Sequence, residues 1–236
     1  MNDTQRLDKY LANLGVCARR AVEDLLKRES LTINGVRAEE PGIRINPDKD
    51  KILLNGKEIK KPKLVYYLLN KPKGVISTTS DEKGRKNVTS LIPTSLRLYP
   101  VGRLDKDTTG LILLTNDGEL TNHLTHPRYE VHKTYKLTIN GRVNEKQLSS
   151  LRNGVKLEEG LTHPAEVKVV REGDISILEV TIHEGKNRQI RRMCLALGIK
   201  LTDLQRIKLG PIEIGNLGVG KYRELTVAEL KLLSNK

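Results

Sequence analysis

The stretch Lys57-Glu-Ile-Lys-Lys-Pro-Lys63 constrains the fold of this 236-residue chain more than any other. It is charged, carries Pro62, and separates two regions whose apolar residues repeat differently, so it reads as a linker with a domain boundary near residue 62. Before it, Leu7, Leu11 and Leu14 recur at helical spacing and Gly15 supplies a stop. Ala21, Val22, Leu25 and Leu26 predict a second helix, with Arg19 and Arg20 at its start and Lys27 and Arg28 at its end. Leu31 to Val36 alternates around Asn34-Gly35, and Ile52 to Lys57 repeats that hairpin signal around Asn55-Gly56. Beyond the linker, β-like runs recur at 64–69, 111–114, 134–139, 165–170 and 175–182, with helical patterns at 119–124, 145–151 and 189–197. The prediction is an α+β chain: a small domain over 1–62, and a larger one over 63–236 whose mainly antiparallel mixed sheet is flanked by helices.

The charge balance narrows the partners. Forty-two Lys and Arg against 29 Asp and Glu leave a formal charge of +13, which favours a polyanion, nucleic acid ahead of an anionic membrane surface. The longest apolar run, Leu64 to Leu69, is far short of the roughly 20 residues that span a bilayer, and the polar start lacks a signal-peptide profile, so a cytoplasmic protein is expected. Cys17 and Cys194 stand alone, which argues against a disulfide framework or a Cys-rich zinc site. With no Trp or Phe and seven Tyr, modules that read RNA through several aromatic platforms are excluded.

Two polar segments stand out as candidate chemistry. Val101 to Gly110 is a polar loop that runs straight into the apolar strand Leu111-Ile-Leu-Leu114, a rigid mount for a reactive group. Its Asp105 and Asp107 read as acid/base carboxylates, metal ligands or turn formers; Arg103 and Lys106 would repel a cation. The second segment, Glu184 to Met193, predicts a helix capped by Asn187 and stopped by Gly198. Ile190, Met193, Cys194 and Leu197 form its apolar stripe, so Arg188, Arg191 and Arg192 project together from the other side. No carboxylate between Asn187 and Lys200 can pair with them, which points to an anion site. Gly215 to Lys221 has the spacing of a phosphate-binding loop, but Tyr222 replaces the required hydroxyl and Arg223 to Val227 reads as a strand. His123, His126 and His132 lack a fourth zinc ligand.

On these residues the sequence resembles the pseudouridine synthases of the RsuA/RluB group, ribosomal RNA enzymes with an N-terminal S4-type RNA-binding module. The S4-like pattern is Arg6-Leu7-Asp8-Lys9-Tyr10-Leu11, Arg19-Arg20-Ala21 and Ile33-Asn34-Gly35. The catalytic pattern is Leu69 to Gly74, Gly102-Arg103-Leu104-Asp105 with Thr108 to Leu111, Lys133-Thr134-Tyr135, and Gly185 to Met193. His126 to Glu130 is closer to the large-subunit branch than to the small-subunit one. The resemblance implies isomerisation of uridine to pseudouridine in ribosomal RNA, 23S ahead of 16S, on naked RNA or a pre-ribosomal particle, by a monomer that needs no metal or redox cofactor. It makes Asp105 the catalytic carboxylate, Arg191 its guanidinium partner and Tyr135 the ring that stacks on the target base. The expected RNA-backbone contacts are Arg6, Lys9, Arg19 and Arg20 in the small domain and Lys71, Lys73, Arg103, Lys186, Arg188 and Arg192 in the large one.

Overall fold

The structure is a computed structural model that describes residues 4–59, 63–79 and 84–234. The boundary expected at Pro62 lies outside the described residues. Two compact units are present. One runs through Val65 and takes in Thr94–Arg97 and Asn116–Gly118; the other comprises Tyr66–Pro93, Leu98–Thr115 and Glu119–Lys236.

In the first unit, helices α1 (Leu7–Asn13) and α2 (Val22–Arg28) accompany a four-stranded sheet ordered Val36–Arg37, Leu31–Ile33, Ile52–Leu54, Lys57–Glu58. Both expected hairpins form. Asn34 and Asn55 (φ 51° each) precede Gly35 (φ 86°) and Gly56 (φ 76°), so each turn has the two consecutive positive φ angles that Asn-Gly supplies most cheaply. Leu7, Leu11, Val22, Leu31 and Ile52 close the core. Asp8, 6% exposed, accepts hydrogen bonds from Lys9 N and from the Arg6 and Arg19 side chains. Arg6, Lys9, Arg19 and Arg20 are all exposed, but Arg6 and Arg19 are held on an internal carboxylate.

The second unit is built on a nine-stranded sheet. We number the strands of its main path β1 (Tyr66–Lys71), β2 (Thr109–Thr115), β3 (Lys133–Asn140), β4 (Glu166–Arg171), β5 (Ile175–Ile182), β6 (Leu201–Leu209) and β7 (Tyr222–Glu224). Their order is β4-β5-β3-β6-β2-β1-β7. All these pairings are antiparallel except β6 with β2, which is parallel and aligns Arg206 with Gly110. Helices α4 (Glu145–Asn153) and α5 (Gln189–Ala196) pack Leu148, Leu151, Ile190 and Met193 against Leu137, Ile139, Leu178 and Val180, each such burial being worth about 1.5–3 kcal/mol. A second cluster joins Leu68, Leu111 and Leu113 to Leu124 of α3 (Gly118–Thr125) and Leu233 of α6 (Val227–Ser234).

Three local readings are corrected. Strand β6 and helix α6 carry no element in the sequence reading, because Thr202, Asp203, Gln205, Arg206 and Lys208 break up the apolar signal of the first and α6 is short. Helix α5 is not capped by Asn187: Arg188 is the N-cap residue, in the left-handed region (φ 48°) and with no side-chain cap. Gln189 Oε1 accepts from Lys186 N at 3.0 Å, which fixes the chain leading into the helix. Gly198 (φ 66°) does follow the helix end. Of the strand expected over Arg223 to Val227, only Arg223 and Glu224 are in one (Tyr222–Glu224) and Val227 opens α6; the phosphate-loop spacing still runs into a strand and not directly into a helix.

Candidate active site

The Asp105 loop is pinned through its backbone on both sides of Asp105. Ser77 Oγ donates to Leu104 O (2.9 Å) and accepts from Leu104 N (3.0 Å). Gly74 N donates to Lys106 O (2.8 Å), and Thr108 N to Asp105 O (3.1 Å). Arg191 Nη2 donates to Asp107 O (3.0 Å) and Thr108 Oγ1 (3.3 Å). Behind the loop, Gly110 (φ 104°) lies so close to β6 that a Cβ would stand 2.2 Å from Arg206 O; only glycine permits this parallel pairing.

Lys71, expected at the RNA backbone, is instead fully buried. Its Nζ donates to Val75 O (2.8 Å), Pro72 O (3.1 Å) and Lys106 O (3.4 Å), tying the turn after β1 to the Asp105 loop. Burial pushes its pKa down to about 8, against the opposing pull of Asp107 and Asp105. It acts as an internal clamp, because a side chain with no exposed surface cannot reach a phosphate.

The arginines of α5 are paired by carboxylates from elsewhere in the fold, which a search confined to the helix could not find. Arg188 donates to both Asp107 oxygens (3.0 and 3.2 Å), and Arg191 Nε lies 3.5 Å from Asp107 Oδ2. Arg192 grips Glu159 through both terminal nitrogens (2.6 and 2.5 Å). The expected pairing of Arg191 with Asp105 is therefore replaced: Arg191 holds Asp107, and the guanidinium facing Asp105 is Arg188, at 3.9 Å. Hydrogen bonds from Arg188 hold Asp107 below the ordinary carboxylate range.

These elements enclose a cavity of about 710 Å³ whose walls include Arg103, Asp105, Lys133, Tyr135, His183, Glu184, Lys186, Arg188 and Arg206. The sheet register explains why Asp105 and Tyr135 line one cavity. Tyr135 on β3 is directly opposite Arg206 on β6, and Arg206 is aligned with Gly110 at the end of the Asp105 loop. Of the two carboxylates in the wall, that of Glu184 is occupied by His163 N (2.9 Å), Gln189 Nε2 (2.5 Å) and Lys186 Nζ (3.4 Å). Asp105 accepts no side-chain hydrogen bond among the described residues, which leaves it the one carboxylate of the wall free to meet a ligand. A tyrosine ring, a free carboxylate and a rim of cations suit a nucleotide whose phosphates stay at the mouth while its base enters. The other large hollow, about 820 Å³, is lined by Glu130, Glu166, Glu179 and Glu213 and suits no polyanion.

Of the residues expected to contact RNA, Arg103, Lys186 and Arg188 line the cavity. Lys73 lies outside its wall with Nζ 2.6 Å from Asp203, and Arg192 is engaged with Glu159. His123 packs edge-on against Tyr129 (4.3 Å between centroids) and His126 Nδ1 accepts from Arg128 N, so both have local structural roles. Two cations of the cavity wall received no role in the sequence reading: Lys133, named there only as part of the pattern before Tyr135, and Arg206. Burial, reinforced by Arg206, lowers the Lys133 pKa. The available signal was phase: Arg206 falls in step with Leu204 on β6, a charge where an inward apolar residue is due.

The chain is similar to known proteins over nearly its whole length. The sequence matches the RNA pseudouridylate synthase family over residues 65–196 and the S4 domain over residues 5–50. It is 43% identical to ribosomal large subunit pseudouridine synthase B of Bacillus subtilis over 97% of this chain and 95% of that protein. An RNA pseudouridine synthase of Aquifex aeolicus is 39% identical over 97% and 93% of the two chains. A crystal structure of a pseudouridylate synthase superposes with a TM-score of 0.70 at 31% identity, covering 97% of this chain and 99% of that one. Matches of this extent place the protein, whose cavity holds both a free carboxylate and a tyrosine, in the RNA pseudouridylate synthase family, with an S4 domain ahead of the catalytic one.

Proposed function

We propose that this chain isomerises uridine to pseudouridine in the RNA of the large ribosomal subunit, working as a cytoplasmic monomer with Asp105 as the reacting carboxylate. One observation carries the assignment of roles: in a wall supplied by one chain, Asp105 is the carboxylate left without a hydrogen-bonded partner, in the same cavity as Tyr135. The target uridine leaves its stack and enters the cavity; Tyr135 stacks on the uracil and offsets part of the few kcal/mol that extrusion costs. Arg103, Lys186 and Arg188 contact phosphates at the mouth, and the S4 domain adds affinity through Lys9 and Arg20, with Arg6 and Arg19 shared between Asp8 and RNA. Arg191 acts from behind the loop by holding Asp107 and Thr108. The large-subunit substrate is supported by the 43% identity to the Bacillus subtilis enzyme of that name.

The test is tritium release from a large-subunit ribosomal RNA transcript labelled at uridine C5, with no added metal. Wild-type protein releases label, and Asp105→Asn binds the transcript but releases none. Release by the Asn variant at the wild-type rate removes Asp105 from the mechanism, and release only from a small-subunit transcript overturns the substrate assignment.

A further inference from the structure

Arg206 is 2% exposed, on an interior strand and in the cavity wall. Of its five N–H donors, Nε–H is used on Leu111 O (2.8 Å), and Nη2 is buried with no partner. No carboxylate among the described residues pairs with it, and Lys133 is near enough to be driven down by its charge. A buried cation with an unused donor and a second cation beside it is costly and calls for an explanation.

We propose that Arg206 is the cavity's donor to the uracil ring: its guanidinium binds a carbonyl of the extruded base and stabilises the charge the ring carries while detached from the sugar. This rests on the reading of the cavity given above. Tyr135 and Arg206 are paired across neighbouring antiparallel strands, so their side chains share a face with Cβ atoms roughly 5 Å apart, and a base lying on the tyrosine is within reach of the guanidinium. The bond from Nε to Leu111 O fixes the plane of the fork, and Gly110 allows the strands the approach this requires.

The chemistry asks for such a donor. When the C1′–N1 bond breaks, the electron pair stays on the ring and spreads onto its carbonyl oxygens. The ring then turns about the line through N3 and C6, which exchanges O2 with O4 and brings C5 to the sugar. The C1′–C5 bond forms, the C5 proton leaves, and a proton is taken up at N1. A donor fixed near one carbonyl position therefore meets an oxygen both before and after the turn. Its hydrogen bond strengthens as negative charge develops, so it favours the detached ring over the bound base.

The experiment uses the full chain and the C5-tritiated large-subunit transcript, with single-turnover release at saturating RNA, transcript affinity and melting temperature measured together. Arg206→Met is expected to release label about 100-fold more slowly, the usual loss for one preorganised donor to a developing anion, with affinity and melting temperature close to wild type. Arg206→Lys, which restores a charged donor, should recover at least about tenfold of that loss. Lys208→Met, which removes a side chain engaged with Glu213 outside the cavity wall, should match wild type. Release by Arg206→Met within about twofold of wild type, or equal losses in the Lys and Met variants, overturns the proposal. Should the Met variant not fold, Lys is compared with Gln, a neutral donor; equal rates in that pair also overturn it. Failure of the wild-type protein to release label is a different result, which defeats the pseudouridine reading and this proposal with it.

Discussion

Raising the pH above neutrality should stabilise this protein through Lys71. Its ammonium is fully buried, and its pKa is pushed from an ordinary 10.5 to about 8. In the unfolded chain the amine keeps its ordinary pKa, so between these values the unfolded state binds the proton that the folded state has released. Stability therefore rises with pH across that window. At pH 7 both states carry the proton and the folded state bears nearly the full penalty of burying it, about 3 kcal/mol for a shift of this size. At pH 9.5 the folded amine is neutral and still has two N–H groups for its carbonyl partners, and the remaining penalty is about 1.4 kcal/mol. The gain is about 2 kcal/mol, or roughly 4–8 °C in melting temperature for a domain of this size. Lys71→Met keeps most of the side-chain volume and removes the titration. The assay is urea unfolding of both proteins at pH 7 and pH 9.5. Other lysines and the tyrosines titrate in both and cancel, so the wild-type protein should gain about 2 kcal/mol on the variant across that range. Parallel stability curves, differing by less than about half a kcal/mol, would refute the claim that a charged lysine is buried under the Asp105 loop.

Two further outcomes follow from the same loop. Gly110→Ala places a Cβ 2.2 Å from Arg206 O at a φ of 104°, so it should cost at least about 3 kcal/mol by strand displacement and backbone strain; a variant with the wild-type urea midpoint would show that β2 and β6 are not this close. Asp107→Asn should cost no more than about 1 kcal/mol, because the Asp107 side chain is 48% exposed and its ion pairs are solvent-screened. That contribution is present above the ordinary carboxylate pKa and fades as pH falls through the lowered folded value. The same variant should slow tritium release about tenfold: Arg188, freed from Asp107, moves the short distance to Asp105, and a new charge-assisted bond of about 1.5 kcal/mol must break before Asp105 reacts. An unchanged rate would show that Arg188 does not respond to Asp107.

What the sequence disclosed, and what it hid, divides along physical lines. Features set within a few residues were legible: the two Asn-Gly hairpins, strand β5, whose expected and observed bounds coincide, and the stop of α5 at Gly198. The capping box at the start of α6 was equally local. Thr226 Oγ1 accepts from Glu229 N and Glu229 Oε2 accepts from Thr226 N, the Ser/Thr-x-x-Glu signature, yet it went unread beside a strand-like run. Long-range pairings were not legible. No rule of spacing connects Arg192 to Glu159, Arg188 to Asp107, or Lys71 to the carbonyl of Lys106; Lys71 meets Lys106 because β1 and β2 are neighbours, and Arg192 meets Glu159 because the hairpin over 156–161 packs against α5. Charge alone also misleads about exposure. Lys71 and Arg206 count toward the net positive charge that suggests a polyanion, and both are internal.

The two aspartates of the loop show why a pinned backbone and a carboxylate free of side-chain hydrogen bonds belong together. Asp107 accepts two hydrogen bonds from Arg188 and forms an ion pair with Arg191, whose Nε lies 3.5 Å away, so it serves as the anchor. Arg188 holds this position from a left-handed backbone, a conformation that costs a non-glycine residue about 1 kcal/mol; the paired bonds to Asp107 are of the size needed to offset it. In return its guanidinium stops 3.9 Å from Asp105, beyond a hydrogen bond. Were Asp105 bonded as Asp107 is, each bond broken on the way to reaction would lower the rate about tenfold for every 1.4 kcal/mol. By placing the fixing contacts on residues 104, 106, 107 and 108, the fold orders Asp105 without occupying it. The reactive group thus pays little to be released and little to be positioned, because the neighbouring residues have already lost the freedom that it would otherwise lose.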